Sequence, residues 1–333
     1  MLEHEFEKPR VVISKCIEFD HCRYNGDMIG NALVRRMNDS GTVEFLPVCM
    51  ESEIGLGVPR DPVRIVQGRD GKKRLIQPTT ARDVTDLAIQ FSEGFMTSLE
   101  PIDGFLLKSR SPSCGIRDTK IYPKAENAAA LTRESGIFGE TALTHFPLLA
   151  IEDENRLRNI KLAEHFLTRL FSFSSWRKTE AEGRMGDIVE WHANNKLLLM
   201  MYNQREMRFL GNLVANHDGL GLKELKAKYG EKMHLALAKP PRCASSINVL
   251  HHCLGYVSDK LSKRERDFFL QQLEMYRDAR IPLSVCLGIM DSWTIRFQEP
   301  YLLRQTFFKP FPDGLLEVGV TDSCDWRDLS DEG

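Results

Sequence analysis

The sequence predicts an α/β fold, with an N-terminal, mainly parallel open sheet and flanking helices, followed by an all-α C-terminal domain. Three observations predict it. Short apolar runs alternate with helical periodicity through the first ~150 residues. From about residue 153 long amphipathic stretches take over. Pro240-Pro241 and Pro282 then punctuate those stretches, as expected where proline ends or starts a helix.

The strand-like runs are Val11-Val12-Ile13, Val43-Glu44-Phe45-Leu46, Gly104-Phe105-Leu106-Leu107 and Leu148-Leu149-Ala150-Ile151. Helical patterns lie between them at 27–38, 83–99 and 126–135, with Asp83 as the candidate N-cap of the second. Residues 62–77 read as a hairpin or irregular excursion turning at Asp70-Gly71. Strands alternating with helices argue for a parallel sheet covered by helices. The second half reads as helices at 153–173, 187–216, 222–238, 246–260, 262–279 and 283–297. The expected organisation is a first domain over 1–153, a helical domain over 154–312 and an acidic, flexible tail over 313–333.

The chain has 333 residues, 42% hydrophobic and 28% charged, which suits a globular protein with two cores. No apolar run is long enough to cross a bilayer, and MLEHEFEKPR lacks the apolar centre of a secretory signal. Cytoplasmic location without membrane attachment is the expectation. The net charge of -2 is uneven: -5 over 1–154, +9 over 155–310 and -6 over 311–333. A basic segment between acidic ones suits a polyanionic partner, although much of its charge could be a solvated helix surface.

Eight cysteines occur, none with CxxC spacing, so zinc-ribbon and thioredoxin readings lack support. Cys16 and Cys49 each follow a predicted strand, and Cys114 follows another after a short turn. Sites in open parallel sheets form beyond the carboxyl ends of the strands, so these three can converge. Converging thiolates suit zinc or an iron–sulfur cluster, and three of them leave one iron of a [4Fe–4S] cluster open. Buried cysteines are also ordinary core residues. Cys253 and Cys286 read as core, and Cys243 and Cys324 have no assignable role.

Four phrases narrow the choice: Ser14-Lys15-Cys16, Cys22-Arg23-Tyr24-Asn25-Gly26, Pro47-Val48-Cys49-Met50-Glu51 and the run Lys108-Ser109-Arg110-Ser111-Pro112-Ser113-Cys114-Gly115. Together, over roughly 10–155, they resemble the thiouracil desulfidase family. The resemblance implies a [4Fe–4S] cluster held by Cys16, Cys49 and Cys114 with one iron open. It also implies catalytic Glu51 and Ser111, which in isolation read as a loop carboxylate and a turn residue. Met50 stands where proline is common in the family, Asn25 where aspartate is usual, and 17–21 replaces a more apolar loop. Those departures bear on the pocket lining, Cys22 remains a candidate fourth ligand, and Glu53 is a competing carboxylate. Lys108 and Arg110 are candidate substrate contacts.

Residues 155–312 resemble a helical domain often fused to this one, through the segments at 191–200, 247–256 and 300–305. The combination is similar to the tRNA 4-thiouridine desulfidases and implies tRNA as partner, with no obligate protein partner. His192 and Lys196 share a helix face, as do His252, Tyr256 and Lys260. His192, Lys196, Lys239 and Arg242 are candidate RNA contacts; each basic side chain could equally be solvated surface, and each histidine a core residue. A desulfidase of free thiouracil and a non-enzymatic iron–sulfur RNA-binding sensor are the competing functions.

Overall fold

Val11, Val12 and Ile13 are fully buried, and their β-branched side chains form the middle of β1 (Arg10–Ser14). Consecutive buried positions mark a strand covered on both faces. The structure is a computed structural model that describes residues 5–316 apart from 69, 127 and 218. After β1 come α1 (Ala32–Asp39), β2 (Glu44–Val48), α2 (Met50–Glu53), β3 (Arg64–Gln67), β4 (Lys73–Gln77), β5 (Arg82–Asp83) and α3 (Thr85–Ser98). Then follow β6 (Gly104–Leu107), β7 (Thr119–Tyr122), β8 (Thr132–Glu134), α4 (Ile137–His145) and β9 (Ala150–Asp153).

The first sheet has the order β2-β1-β6-β9, and all its pairs are parallel. The chain leaves β1 to one side for β2 and reaches β6 on the other, so a switch point falls between β1 and β6. A second, mixed sheet has the order β5-β4-β3-β7-β8. One core joins the two, with Val12, Phe105 and Leu107 packed in the same cluster as Ile65, Leu75 and Ile121.

The parallel sheet and the hairpin agree with the sequence expectation; Gly71 takes the left-handed turn conformation at φ 76. Three local expectations need correction. Among the described residues of 126–135 the expected helix is absent, and Thr132–Glu134 instead pairs antiparallel with β7. The alanines there favour helix, but pairing with β7 decides. The first helix begins at Ala32, where the Asn31 side chain accepts from the Val34 amide as its cap. Asp83 sits one residue before the observed cap position, where its carboxylate accepts from the Thr85 amide at 2.9 Å.

The remaining helices are α5 (Ile160–Glu182), α6 (Met185–Ala215), α7 (Leu222–Ala236), α8 (Cys243–Val257), α9 (Lys263–Arg277), α10 (Leu283–Phe297) and α11 (Pro300–Leu303). The helix expected from 153 starts at Ile160 because β9 and a short turn use the preceding residues. By internal contacts, one unit is built mainly on Lys8–Leu170 and the other on Phe171–Phe311, so both draw on α5. The helical unit has its own core around Leu198, Leu250, Phe269 and Met290. Among the described residues no helix is long and apolar enough to cross a membrane. Leu315 is buried and its carbonyl accepts from Arg36 Nε, whereas 317–333, including Cys324 and most of the expected tail, lie outside the described residues.

Candidate active site at the strand ends

Three strand ends deliver three cysteines to the carboxyl edge of the first sheet. Cys16 lies two residues past β1, in a turn closed by the Ile17 amide donating to the Ser14 carbonyl. Its own carbonyl accepts from the Ile29 amide, which ties down both ends of the loop carrying Cys22. Cys49 directly follows β2, and its carbonyl accepts from the amides of Ser52 and Glu53. That single helical turn places Glu51 in a buried position.

Cys114 sits in the turn after β6. Ser111 Oγ accepts from the amides of Ser113 at 3.2 Å and Cys114 at 3.0 Å, which fixes the turn. The start of α4 clamps the same segment: Ile137 donates to the Pro112 carbonyl and Gly139 to the Ser113 carbonyl. Gly136 permits this approach, since a Cβ there would stand 2.5 and 2.6 Å from the Ser113 and Pro112 oxygens.

The thiols interact with one another. The free Cys22 thiol is within hydrogen-bonding reach of Cys16 and Cys49, and the Cys16 contact leads in pushing its pKa up to about 11. Cys49 is pushed up first by Cys22 and then by burial, while Ser52 Oγ lies 3.3 Å from its Sγ. Burial pushes Cys114 up to about 12, against hydrogen bonds from the Ser14 and Ser111 hydroxyls. Such thiols are protonated at neutral pH, so metal binding here would release protons. Among the described residues no three His, Cys, Asp or Glu side chains stand spaced for a single metal ion.

Glu51 is the best-defined group beside them. Arg60 Nε donates to Oε2 at 2.8 Å and Ser113 Oγ to Oε1 at 2.6 Å. Arg60 Nη1 also donates to the carbonyls of Cys22 and Gly57, joining the Cys22 loop to the Cys49 loop. Sequence reasoning missed both partners. Ser113 was visible beside Cys114; Arg60 is an isolated loop arginine with no local pattern. Glu53 is exposed and forms no part of this arrangement.

Lys108 turns inward, its Nζ donating to Glu154 Oε1 at 2.7 Å, and Ser109 bonds the same carboxylate. Arg110 is largely exposed at φ 58, beside Asp118. In the helical unit, His192 is buried with Nδ1 2.9 Å from the Tyr229 hydroxyl, and Lys196 is exposed one turn further on. Lys239 and Arg242 are exposed on either side of Pro240-Pro241. Cys253 and Cys286 are core residues, as expected.

The model of the 2-thiouracil desulfurase family matches residues 11–154. A second family model, described as a protein of unknown function (DUF1722), matches residues 196–312. Uncharacterized protein YbgA of Escherichia coli is 25% identical over 148 residues, covering 44% of this chain and 88% of that protein. Uncharacterized protein YbbK of Bacillus subtilis is 27% identical over 112 residues, covering 32% and 72%. A solved structure, the [4Fe-4S]-dependent thiouracil desulfidase TudS, is 26% identical, covering 47% of this chain and 98% of that one, with a TM-score of 0.36. Cys16, Cys22, Cys49, Cys114 and Glu51 all fall inside the matched segment.

Proposed function

We propose that this protein is an iron–sulfur-dependent desulfidase that converts 4-thiouridine in tRNA to uridine and releases hydrosulfide. The observation that carries the chemistry is the convergence of cysteine thiols with the buried, doubly held Glu51 in a 2-thiouracil desulfurase domain. The donor set fits a [4Fe–4S] cluster: thiols dominate it, and serine hydroxyls reach Cys49 and Cys114. In this reading Cys16, Cys49 and Cys114 hold the cluster. Cys22, packed against two of them, stays outside the ligand set, because a fourth thiolate would close the site to substrate. When bound, the cluster supplies an open iron as a soft Lewis acid for a thiocarbonyl sulfur.

The side chains supply the rest. Arg60 and Ser113 fix both Glu51 oxygens, so the carboxylate can take a proton from a water beside the substrate carbon. The water oxygen adds to that carbon, and the Ser111 hydroxyl donates toward the developing charge. The C–S bond then breaks: Glu51 returns its proton to sulfur, which leaves as hydrosulfide, and the added hydroxyl gives its proton to solvent as the carbonyl forms. A thiocarbonyl and water become a carbonyl and hydrogen sulfide, with no net electron transfer.

The tRNA assignment is supported by the +9 segment at 155–310 and by the exposed Lys196, Lys239 and Arg242. A base within folded RNA must be unstacked, at roughly a few kcal/mol, and phosphate contacts offset that cost. Action on free thiouracil is the second reading, favoured by the description of the matched family. Comparing kcat/KM for 4-thiouridine tRNA and free 4-thiouracil separates them: a clear preference for tRNA supports the proposal, and turnover of the free base alone removes the RNA assignment.

A further inference from the structure

Helix α6 is not one rod. Asn203 breaks the helical path at φ -155 and ψ 96, and its Oδ1 accepts from the Glu206 amide at 3.2 Å. It therefore caps a second arm. The arms fold toward one another: a Cβ on Gly211, in the second arm, would stand 3.4 Å from His192 Nε2 in the first. Between them lies a crevice of about 600 Å3. His192, Lys196 and Met200 line it from one face of the first arm, recurring every fourth residue. Gln204, Arg208 and Asn212 line it from the second arm with the same spacing, together with Met207.

The chemistry of these walls is one-sided. They carry two cations, two imidazoles (His252 of α8 is the second) and two amides, but no carboxylate. Lys196 and Arg208 form no ion pair among the described residues. Tyr229 is buried and held as a neutral phenol, so its hydroxyl can donate to His192 Nδ1. That leaves the N–H on Nε2, the nitrogen nearest Gly211. The crevice thus offers hydrogen-bond donors and positive charge beside two methionine side chains.

We propose that this crevice binds the phosphate of a single nucleotide, with Lys196 and Arg208 on the phosphate oxygens, His192 donating from Nε2, and Met200 and Met207 against the nucleoside. The volume suits a small-molecule-sized group and excludes a duplex. The phosphate chemistry stands on the crevice alone. The assignment of its source to a tRNA phosphodiester, rather than a free nucleotide, rests on the proposed function.

The test uses the full chain and reads binding without turnover, so a failure of the desulfidase reading leaves it intact. Fluorescence anisotropy follows an unmodified tRNA transcript, and calorimetry follows uridine monophosphate. Lys196→Glu and Arg208→Glu are compared with Lys223→Glu, an equal charge change at an exposed position on α7. Lys196→Gln and Arg208→Gln repeat the test without charge reversal, and thermal melting checks that each variant folds. For a tRNA source, each reversal in the crevice weakens tRNA binding about tenfold at ~0.1 M salt and lowers the salt slope by about one, while Lys223→Glu does less. For a free-nucleotide source, uridine monophosphate binding is lost while tRNA binding stays. Equal effects from Lys223→Glu, no response of either ligand to the crevice variants, or no binding of either ligand to the parent protein would overturn the proposal.

Discussion

Replacing Arg60 with methionine tests how the proposed site holds Glu51. The Arg60 side chain is 4% exposed and that of Glu51 11%, so their 2.8 Å pair is shielded from water. Arg60→Met leaves the carboxylate with Ser113 as its remaining donor and strands the carbonyls of Cys22 and Gly57. Removing one partner of a buried pair costs roughly 3–5 kcal/mol. If about 3 kcal/mol of that is lost in the transition state, kcat falls about 100-fold, since ~1.4 kcal/mol is tenfold. KM changes less, because Arg60 acts through Glu51. Arg60→Lys keeps the charge and recovers part of the loss. The assay is anaerobic steady-state desulfidation, with iron and acid-labile sulfide measured on the same samples. A fully loaded Arg60→Met protein with kcat within about threefold of the parent would refute the reasoning.

Ser113→Ala removes the 2.6 Å bond to Glu51 and lowers kcat about tenfold or more with iron content unchanged, whereas Ser111→Ala lowers both kcat and iron content, because its oxygen fixes the Cys114 amide. Gly136→Ala drives a Cβ against the Ser113 and Pro112 carbonyls and destabilises the first unit by about 1–3 kcal/mol, read from the shift in its urea midpoint; an unchanged midpoint would show that the loop yields freely. His192 is buried and its pKa is held down to about 4 from 6.5, first by burial and then by Lys196. The unfolded chain therefore binds a proton that the folded chain refuses, and stability falls as pH drops from 6.5 toward 4, by at most ~1.4 kcal/mol per unit. Between pH 7.5 and pH 4 the stability advantage of the parent over His192→Gln shrinks by roughly 3 kcal/mol in urea titrations, and a constant difference would contradict the buried neutral histidine.

The first sheet was legible because Val11–Ile13 and Gly104–Leu107 are continuous apolar runs, and strands buried on both faces read that way. Much of the second sheet was not. Thr132–Glu134 is exposed and becomes a strand through pairing with β7, which no local pattern announces. The cysteines at three strand ends were visible as spacing, and their meeting follows from the parallel order of β2, β1 and β6. Cys22 reaches them through the Ile17–Ile29 bridge, a contact twelve residues long in sequence. Arg60 was invisible because one arginine in a loop carries no periodicity. The break at Asn203 was hidden in an unbroken amphipathic stretch, since an asparagine cap inside a long helix looks like any polar position.

The most direct test of the account is anaerobic incubation of cluster-reconstituted protein with 4-thiouridine-containing tRNA, following loss of near-ultraviolet thiouridine absorbance and release of sulfide. The account predicts stoichiometric sulfide from the parent, loss of turnover with retained cluster in Glu51→Gln, and loss of the cluster in Cys16→Ala, Cys49→Ala and Cys114→Ala. A fully loaded parent that releases no sulfide from tRNA or from free thiouracil would contradict it.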